Sequence, residues 1–417
     1  MAIADFVERL LGADLPVRFE AYDGSAAGPT TARATVLIKT ADALRRIVRA
    51  PGELGFARAY VAGDIEVVGD IYAVMDLADR LPAVRLGRRE VRALAKIVGP
   101  RAMRSLPAPP EEIHLSGRLH SKERDAQAIA HHYDVGNDFY SLVLGPSLTY
   151  SCAVFGSEDD TLEQAQENKY ELIARKLDLR QGMRFLDVGC GWGGMVMHAS
   201  ACHGVQAVGV TLSREQFALA SKRVVEAGLS TSAEIRIQDY RDIDDGPYDA
   251  ISSIGMFEHV GESRLSEYFQ CLWNLLPPGG RLLNHGISRP PRIERRSRRS
   301  PFIEHYVFPD SALHEVGRVV SVIQDAGFEV RHVESFREHY ARTLRAWVAN
   351  LEANWQKAVE LVGENRARVW RLYMAASVAN FEANRTQIHQ VLAIKPDRGS
   401  SGMPLRPHWE ATPLHRD

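Results

Sequence analysis

From about Arg180 the chain alternates between two hydrophobic periods, and this alternation limits its fold more than any other feature. Strand-like runs MRFLDVG, VQAVGVTL, AEIRIQD, YDAISSIGMF and RLLNHGIS are separated by helical runs. GGMVMHASACHG stops at Gly204 and REQFALASKRVVEAG at Gly228, residues suited to ending a helix. Strands joined through helices build a parallel sheet with helices on both faces. Residues 161–178 read as a further helix leading into the first strand, and 341–395 as two or three helices with aromatic-rich faces.

A length of 417 residues sets two domains as the expectation. Residues 1–110 form the first. Short apolar runs (ATVLIKT, GFARAYVAG, DIEVV) give way to helical spacing at Ile71, Val74, Met75, Leu77 and Leu81. Between Arg85 and Arg104 seven basic residues face one acid, Glu90, with Val91, Leu94, Ile97 and Val98 interleaved. That pattern fits a solvated basic helix or linker, or a helix drawn to anionic headgroups at a membrane surface. Proline punctuation at 106–110 marks a linker, residues 111–395 form the second domain, and 396–417 is a polar, loose tail.

Lys+Arg number 51 and Asp+Glu 53, a balance that does not suggest a dedicated nucleic-acid binder. No apolar run approaches the roughly 18 residues that span a bilayer. The start MAIADFVERL lacks a basic stretch followed by an apolar one, so no secretory signal is expected. The four cysteines, Cys152, Cys190, Cys202 and Cys271, are scattered and point to neither a disulfide framework nor a zinc site. A reducing compartment is expected. His131, His132 and Asp134 lack further ligands at useful spacing, and no metal is expected there.

The segment Phe185-Leu186-Asp187-Val188-Gly189-Cys190-Gly191-Trp192-Gly193-Gly194 ends a strand and opens a helix. Its glycines satisfy G-x-G-x-x-G, which by itself also fits a dinucleotide site. Two details separate the options. Asp187 would repel a pyrophosphate but suits a ligand carrying ammonium and sulfonium charges. The ribose-binding acid expected roughly 20 residues on is missing, because the second strand ends Gly209-Val210-Thr211-Leu212-Ser213. S-adenosylmethionine therefore fits better than NAD. Gln238-Asp239-Tyr240, after the third strand, offers polar and aromatic groups for an adenine.

Six blocks in order, HHYDVGNDFYSLVLGPSLTYSCAVF (131–155), LDVGCGWGG, GVTLSREQ, QDYRDI, SIGMFEHVG and HYVFP, resemble the cyclopropane-fatty-acyl-phospholipid synthases, relatives of the mycolic acid cyclopropane synthases. The likeness spans roughly Ala130 to Ala393. GFARAYVAGDIEVVGD resembles, less sharply, the N-terminal domain of the longer phospholipid-acting members. The resemblance implies an α/β fold: a Rossmann-like, mostly parallel seven-stranded methyltransferase sheet with a smaller N-terminal α+β or helical domain. It implies that Tyr150 and Ser151, Gly189 and Gly191, Thr211, Leu212 and Gln216, and Asp239 and Tyr240 contact S-adenosylmethionine, with Asp187 beside them. It also implies a bicarbonate general base held by Cys152, Glu258, His285, Ile287 (through its backbone) and Tyr340.

The implied reaction converts the cis double bond of an unsaturated phospholipid acyl chain into a cyclopropane. A small anion both stabilises positive charge and accepts a proton where a strongly basic side chain would be trapped covalently. Phe257, Tyr306 and Trp347 are candidates to steady a passing cation, and PFIEHYVFP (301–309) to cover an acyl chain. Arg292, Arg295, Arg296, Arg298 and Arg299 read as a solvated loop or a phosphate-headgroup contact. Each site residue also has a plain structural reading: Cys152 a small buried hydrophobe, Glu258 a cap or ion-pair partner, His285 a core histidine, Tyr340 an interface tyrosine.

The chain departs from the family pattern at Asp310-Ser311-Ala312-Leu313-His314, and Ala375-Ala376-Ser377-Val378 carries no cysteine. The expected setting is cytoplasmic, peripheral at the inner face of the membrane, with a homodimer through apolar helices of 1–110. Alternatives are methyl or methylene branching of the same alkene, a small-molecule N- or O-methyltransferase on this fold, and a lipid-binding protein with a vestigial cofactor site.

Overall fold

The structure is a computed structural model that describes residues 2–12, 14–78, 97, 106–113, 117, 121, 124, 127, 132–133, 135–291, 301–309 and 312–409. The basic stretch 85–104, apart from Ile97, and the arginines at 292–299 lie outside the described residues, as do His131 and Asp134.

The chain divides into two compact units. The first is assembled from three segments, 1–114, 294–309 and 351–379, rather than from 1–110 alone. Its four-stranded sheet has the order β2-β1-β3-β4, with β1 (Arg18–Ala21), β2 (Ala26–Ala27), β3 (Ala34–Ile38) and β4 (Ile65–Gly69). β3 alternates buried and half-buried side chains, as a strand with one covered face does. Helices α1 (Ile3–Leu11), α2 (Ala41–Arg49), α3 (Glu53–Val61) and α4 (Ile71–Ala78) accompany it. Buried Arg368 is held inside this unit by Glu66, by Glu364 at 2.8 Å and by the carbonyls of Tyr60 and Ile65.

The second unit covers 115–293, 310–350 and 380–417. It opens with α5 (Asn137–Leu144) and α6 (Leu162–Leu177), where Thr161 and Gln164 form a reciprocal capping box. Alternation follows as expected: β5 (Arg184–Val188), α7 (Gly194–His203), β6 (Gln206–Thr211), α8 (Arg214–Glu226), β7 (Ala233–Ile237), β8 (Ala250–Ile254), α9 (Leu265–Asn274) and β9 (Arg281–Arg289). Beyond these come α10 (Pro301–Tyr306, in the first unit), β10 (His314–Glu315), α11 (Val316–Asp325), β11 (Glu329–Ser335), α12 (Arg337–Ala353), α13 (Trp355–Val362) and α14 (Glu364–Glu382), the one wholly and the other mostly in the first unit, and β12 (Gln387–Ile394).

The sheet order is β11-β12-β9-β8-β5-β6-β7, with β10 added beside β9. β9, β8, β5, β6 and β7 pair in parallel, and β12 runs antiparallel to both its neighbours. This is the mostly parallel seven-stranded sheet expected, with a two-residue strand appended. Central strands are buried along nearly their whole length, so their apolar runs are continuous rather than alternating.

One expected helical stretch is corrected. Thr386–Ala393 lies largely in β12, whose residues 390–394 are all buried between β9 and β11. Asn384, with φ of 54°, ends the preceding helical path. The strand conformation of QIHQVLAI is decided by that sandwiched position, not by local helix preference.

Close approach fixes one glycine. A methyl group on Gly286 of β9 would fall 1.8 Å from Phe257 Cε1. Phe257 is 1% exposed and cannot swing into solvent. Gly286→Ala is expected to lower unfolding free energy by about 1–3 kcal/mol in denaturant titrations; an unchanged midpoint and slope would refute this packing constraint.

Candidate active site

Strand ends build the pocket. The order of connections reverses between β5 and β8, where α/β sheets form a crevice beyond their carboxyl ends. Asp187 to Gly191 run off the end of β5, Thr211 and Leu212 off β6 and Ile254 to Met256 off β8, while Gln238 to Tyr240 follow β7. All ten residues expected to touch the methyl donor line this one cavity: Tyr150, Ser151, Asp187, Gly189, Gly191, Thr211, Leu212, Gln216, Asp239 and Tyr240. Gly191 has a φ of 54°, and a methyl group on Gly194 would fall 2.0 Å from Tyr170 Oη. The loop therefore needs glycine both for its turn and for helix packing.

Several lining groups are already organised. Thr211 Oγ1 donates to Gln216 Oε1 at 2.8 Å, and Ser213 caps α8. Asp239 accepts from Arg241 Nε at 2.8 Å and from the Arg241 backbone amide at 2.9 Å. Trp192 donates to Asn137 Oδ1 at 2.7 Å and packs on Tyr140, which packs on Tyr150.

Residues of α6 not singled out in the sequence complete the wall. Gln166 Nε2 donates to Ser151 O at 3.0 Å, and Tyr170 pairs with Thr149. Lys169, fully buried, donates to Ser151 Oγ at 2.8 Å. Burial drives the Lys169 ammonium down to about 7, against the pull of Cys152 and Asp187. Burial also lifts Asp187 to about 6, opposed by the Ser252 hydroxyl at 2.5 Å and by Lys169. The signal for Lys169 was present: it lies seven residues before Lys176, and both fall on the buried side of α6 with Ile173.

A second group sits across the 255–260 loop. Gly255, Met256, His259 and Val260 line the cavity, while Glu258 turns to β9, where its Oε1 accepts the Ile287 amide at 2.7 Å. The Ile287 N–H is thus engaged by Glu258. Glu258 is 5% exposed, and burial raises its carboxyl to about 7 despite that amide. His285 Nδ1 meets Gln390 Nε2 at 3.2 Å, and burial first, then Lys169, Lys176 and His389, hold the ring well below its ordinary range. Glu258 Oε2 and His285 Nε2 are buried with no hydrogen-bond partner among the described residues.

Cys152 and Tyr340 share one contact point. Cys152 Sγ lies 3.7 Å from Phe336 O, which also accepts the Tyr340 amide at 3.0 Å, and the Phe336 ring stacks on His285. Burial pushes the Cys152 thiol far up, leaving it protonated. Trp347 links the two groups, packing on Tyr340 and on Tyr150 of the cavity. Phe257 is buried near His314. Tyr306 falls in the first unit, against Phe302.

Residues 120–391 match the family model described as mycolic acid cyclopropane synthetase. A probable fatty acid methyltransferase of Mycobacterium tuberculosis is 47% identical over 407 residues, 95% of each chain. The cyclopropane-fatty-acyl-phospholipid synthase of Escherichia coli is 37% identical over 274 residues, 66% of this chain and 69% of that one. A crystallised mycolic acid cyclopropane synthase, complexed with SAH and CTAB, superposes with a TM-score of 0.62 and 34% identity, covering 65% of this chain and 98% of that one.

The raised Glu258 carboxyl has a consequence for stability. Its folded form holds a proton more tightly than the unfolded chain, so it lowers stability as pH rises from about 4.5 to about 7. Glu258→Gln is expected to be more stable than the wild type at pH 8, on the order of 1–3 kcal/mol, with the gap closing below pH 4.5. Equal pH dependence in urea unfolding would contradict the burial cost. The matched model, the long alignments and the shared sheet place the chain in the mycolic acid cyclopropane synthetase family of S-adenosylmethionine-dependent methyltransferases.

Proposed function

We infer that this enzyme transfers a methyl group from S-adenosylmethionine to the cis double bond of an unsaturated phospholipid acyl chain and closes a cyclopropane ring, with bicarbonate taking the proton. One observation carries the reading: a single loop, 255–260, walls the glycine-lined cavity and also presents a buried carboxyl whose one oxygen bonds to β9 at Ile287 and whose other oxygen has no partner among the described residues, while His285 of the same strand has a buried nitrogen likewise without one. Two orphaned polar atoms in an apolar setting call for a small polar guest.

When bound, the donor supplies an electrophilic methyl on a sulfonium, and bicarbonate supplies a compact base. The protein's part follows from its residues. Asp187 and the glycine loop accept the charged amino-acid end, Thr211 and Gln216 the ribose, and Asp239 and Tyr240 the adenine. Glu258 Oε2 accepts a hydrogen bond and His285 Nε2 donates one, fixing the base. Ile287 acts through the amide that holds Glu258, and Cys152 and Tyr340, which meet at Phe336 O, complete the set. Trp347, bridging both groups, offers an aromatic face to positive charge.

No helix among the described residues is long and apolar enough to cross a membrane, so an acyl chain in a bilayer is met from the surface. This extends the reading to peripheral association at the inner membrane face, with residues 1–110 as the lipid-engaging or dimerising part. A second reading, a methyl or methylene branch, is favoured by the full-length likeness to a fatty acid methyltransferase.

Incubation with unsaturated phospholipid vesicles and methyl-labelled donor is expected to give labelled cyclopropane lipid by mass spectrometry. Removing dissolved carbonate should lower turnover, and adding it back restore it. Glu258→Gln should cut kcat at least about 100-fold while donor affinity stays within about threefold. Parallel loss of both would overturn the role of Glu258. A branched product selects the second reading, and methylation of amines or phenols alone refutes lipid alkylation.

A further inference from the structure

Between α6 and α7 three side chains converge that neither the cavity lining nor the Glu258 group includes. Glu171 Oε2 lies 3.0 Å from His203 Nε2 and 3.3 Å from His198 Nε2. The three atoms all lie within 4.8 Å of one another. They are partly covered, with side-chain exposures of 33%, 15% and 18% for Glu171, His198 and His203.

We propose that Glu171, His198 and His203 form a binding site for a zinc-class divalent transition cation, with water completing a tetrahedron. The donor set decides the class. Two imidazole nitrogens and one carboxylate oxygen suit zinc, cobalt or nickel, whereas magnesium and calcium demand more oxygens. Metal–ligand bonds of about 2.0–2.1 Å give tetrahedral edges of about 3.3–3.4 Å. Of the three edges, Glu171–His198 already has that length and Glu171–His203 needs to open slightly, while the two imidazole nitrogens, within 4.8 Å of each other, would close on the ion.

The outer contacts support the same geometry. Glu171 Oε1 accepts Arg175 Nε at 2.6 Å, which orients the carboxylate and leaves Oε2 for a cation. His198 Nδ1 meets Cys202 Sγ at 3.9 Å, so the thiol faces the opposite nitrogen from the one that would ligate. The cation would staple α6 to α7. Tyr170, beside Glu171, and Gly194, which opens α7, both line the cavity.

The test uses the full chain, stripped with chelator and titrated with cobalt(II), then with zinc(II). The site predicts one cobalt per chain, intense visible bands of tetrahedral coordination, displacement by zinc, and a rise in Tm with zinc. His203→Gln and Glu171→Gln should each weaken cobalt binding at least about tenfold, while Cys202→Ser binds as the wild type does. Circular dichroism and Tm in chelator check that each variant is folded. Absence of saturable binding, weak octahedral bands, or equal binding by both folded ligand variants would overturn the site and leave a carboxylate bridged by two imidazole N–H groups.

Discussion

The short hydrogen bond from the Ile287 amide to Glu258 is the constraint on which the site depends. A carboxyl this deeply buried is costly in its ionised form, and a single amide only partly offsets that cost. The surrounding structure holds it in place regardless. Phe257, its neighbour, fills the space that the missing side chain of Gly286 leaves open. β9 itself is clamped between parallel β8 and antiparallel β12. The bond therefore locks a loop that closes the donor cavity to a strand that carries His285.

Charge on the cavity side follows the same logic. Asp187 and Lys169 are both buried and oppositely charged, and each moderates the shift that burial imposes on the other. A bound sulfonium and ammonium would add positive charge near Asp187 and favour its ionised form. Lys169 meanwhile holds Ser151, so the segment carrying Tyr150 is fixed to α6 by lysine, glutamine and tyrosine contacts together. The cavity is preorganised by its own hydrogen bonds, a property that favours tight recognition of a rigid, charged ligand.

Much of this was legible in the sequence, for identifiable reasons. Continuous apolar strands and the glycine loop are local signals, and they located β5 to β9 and the loop after β5; the resemblance to the synthases, not local pattern, supplied the other cavity-lining residues. Helix ends at Gly204 and Gly228 were readable because left-handed backbone favours glycine. β12 was not, since its strand character comes from two neighbours distant in sequence. Lys169 was passed over because a lysine on an amphipathic helix normally faces water. Here its stem and ammonium are enclosed and partnered by Ser151. The composition of the first unit from three segments also escaped, because contact between 1–114 and the helical stretch 351–379 leaves no mark in local periodicity.

The central proposal is that a methyl donor fills the cavity while a small anion meets Glu258 and His285 across the 255–260 loop. The most direct measurement is a crystal structure grown with S-adenosylhomocysteine and bicarbonate. The account predicts the nucleoside against Asp239 and Tyr240, the sulfur facing the loop, and planar three-oxygen density bonded to Glu258 Oε2 and His285 Nε2. Those two atoms satisfied by protein groups alone, or the nucleoside bound elsewhere, would contradict it.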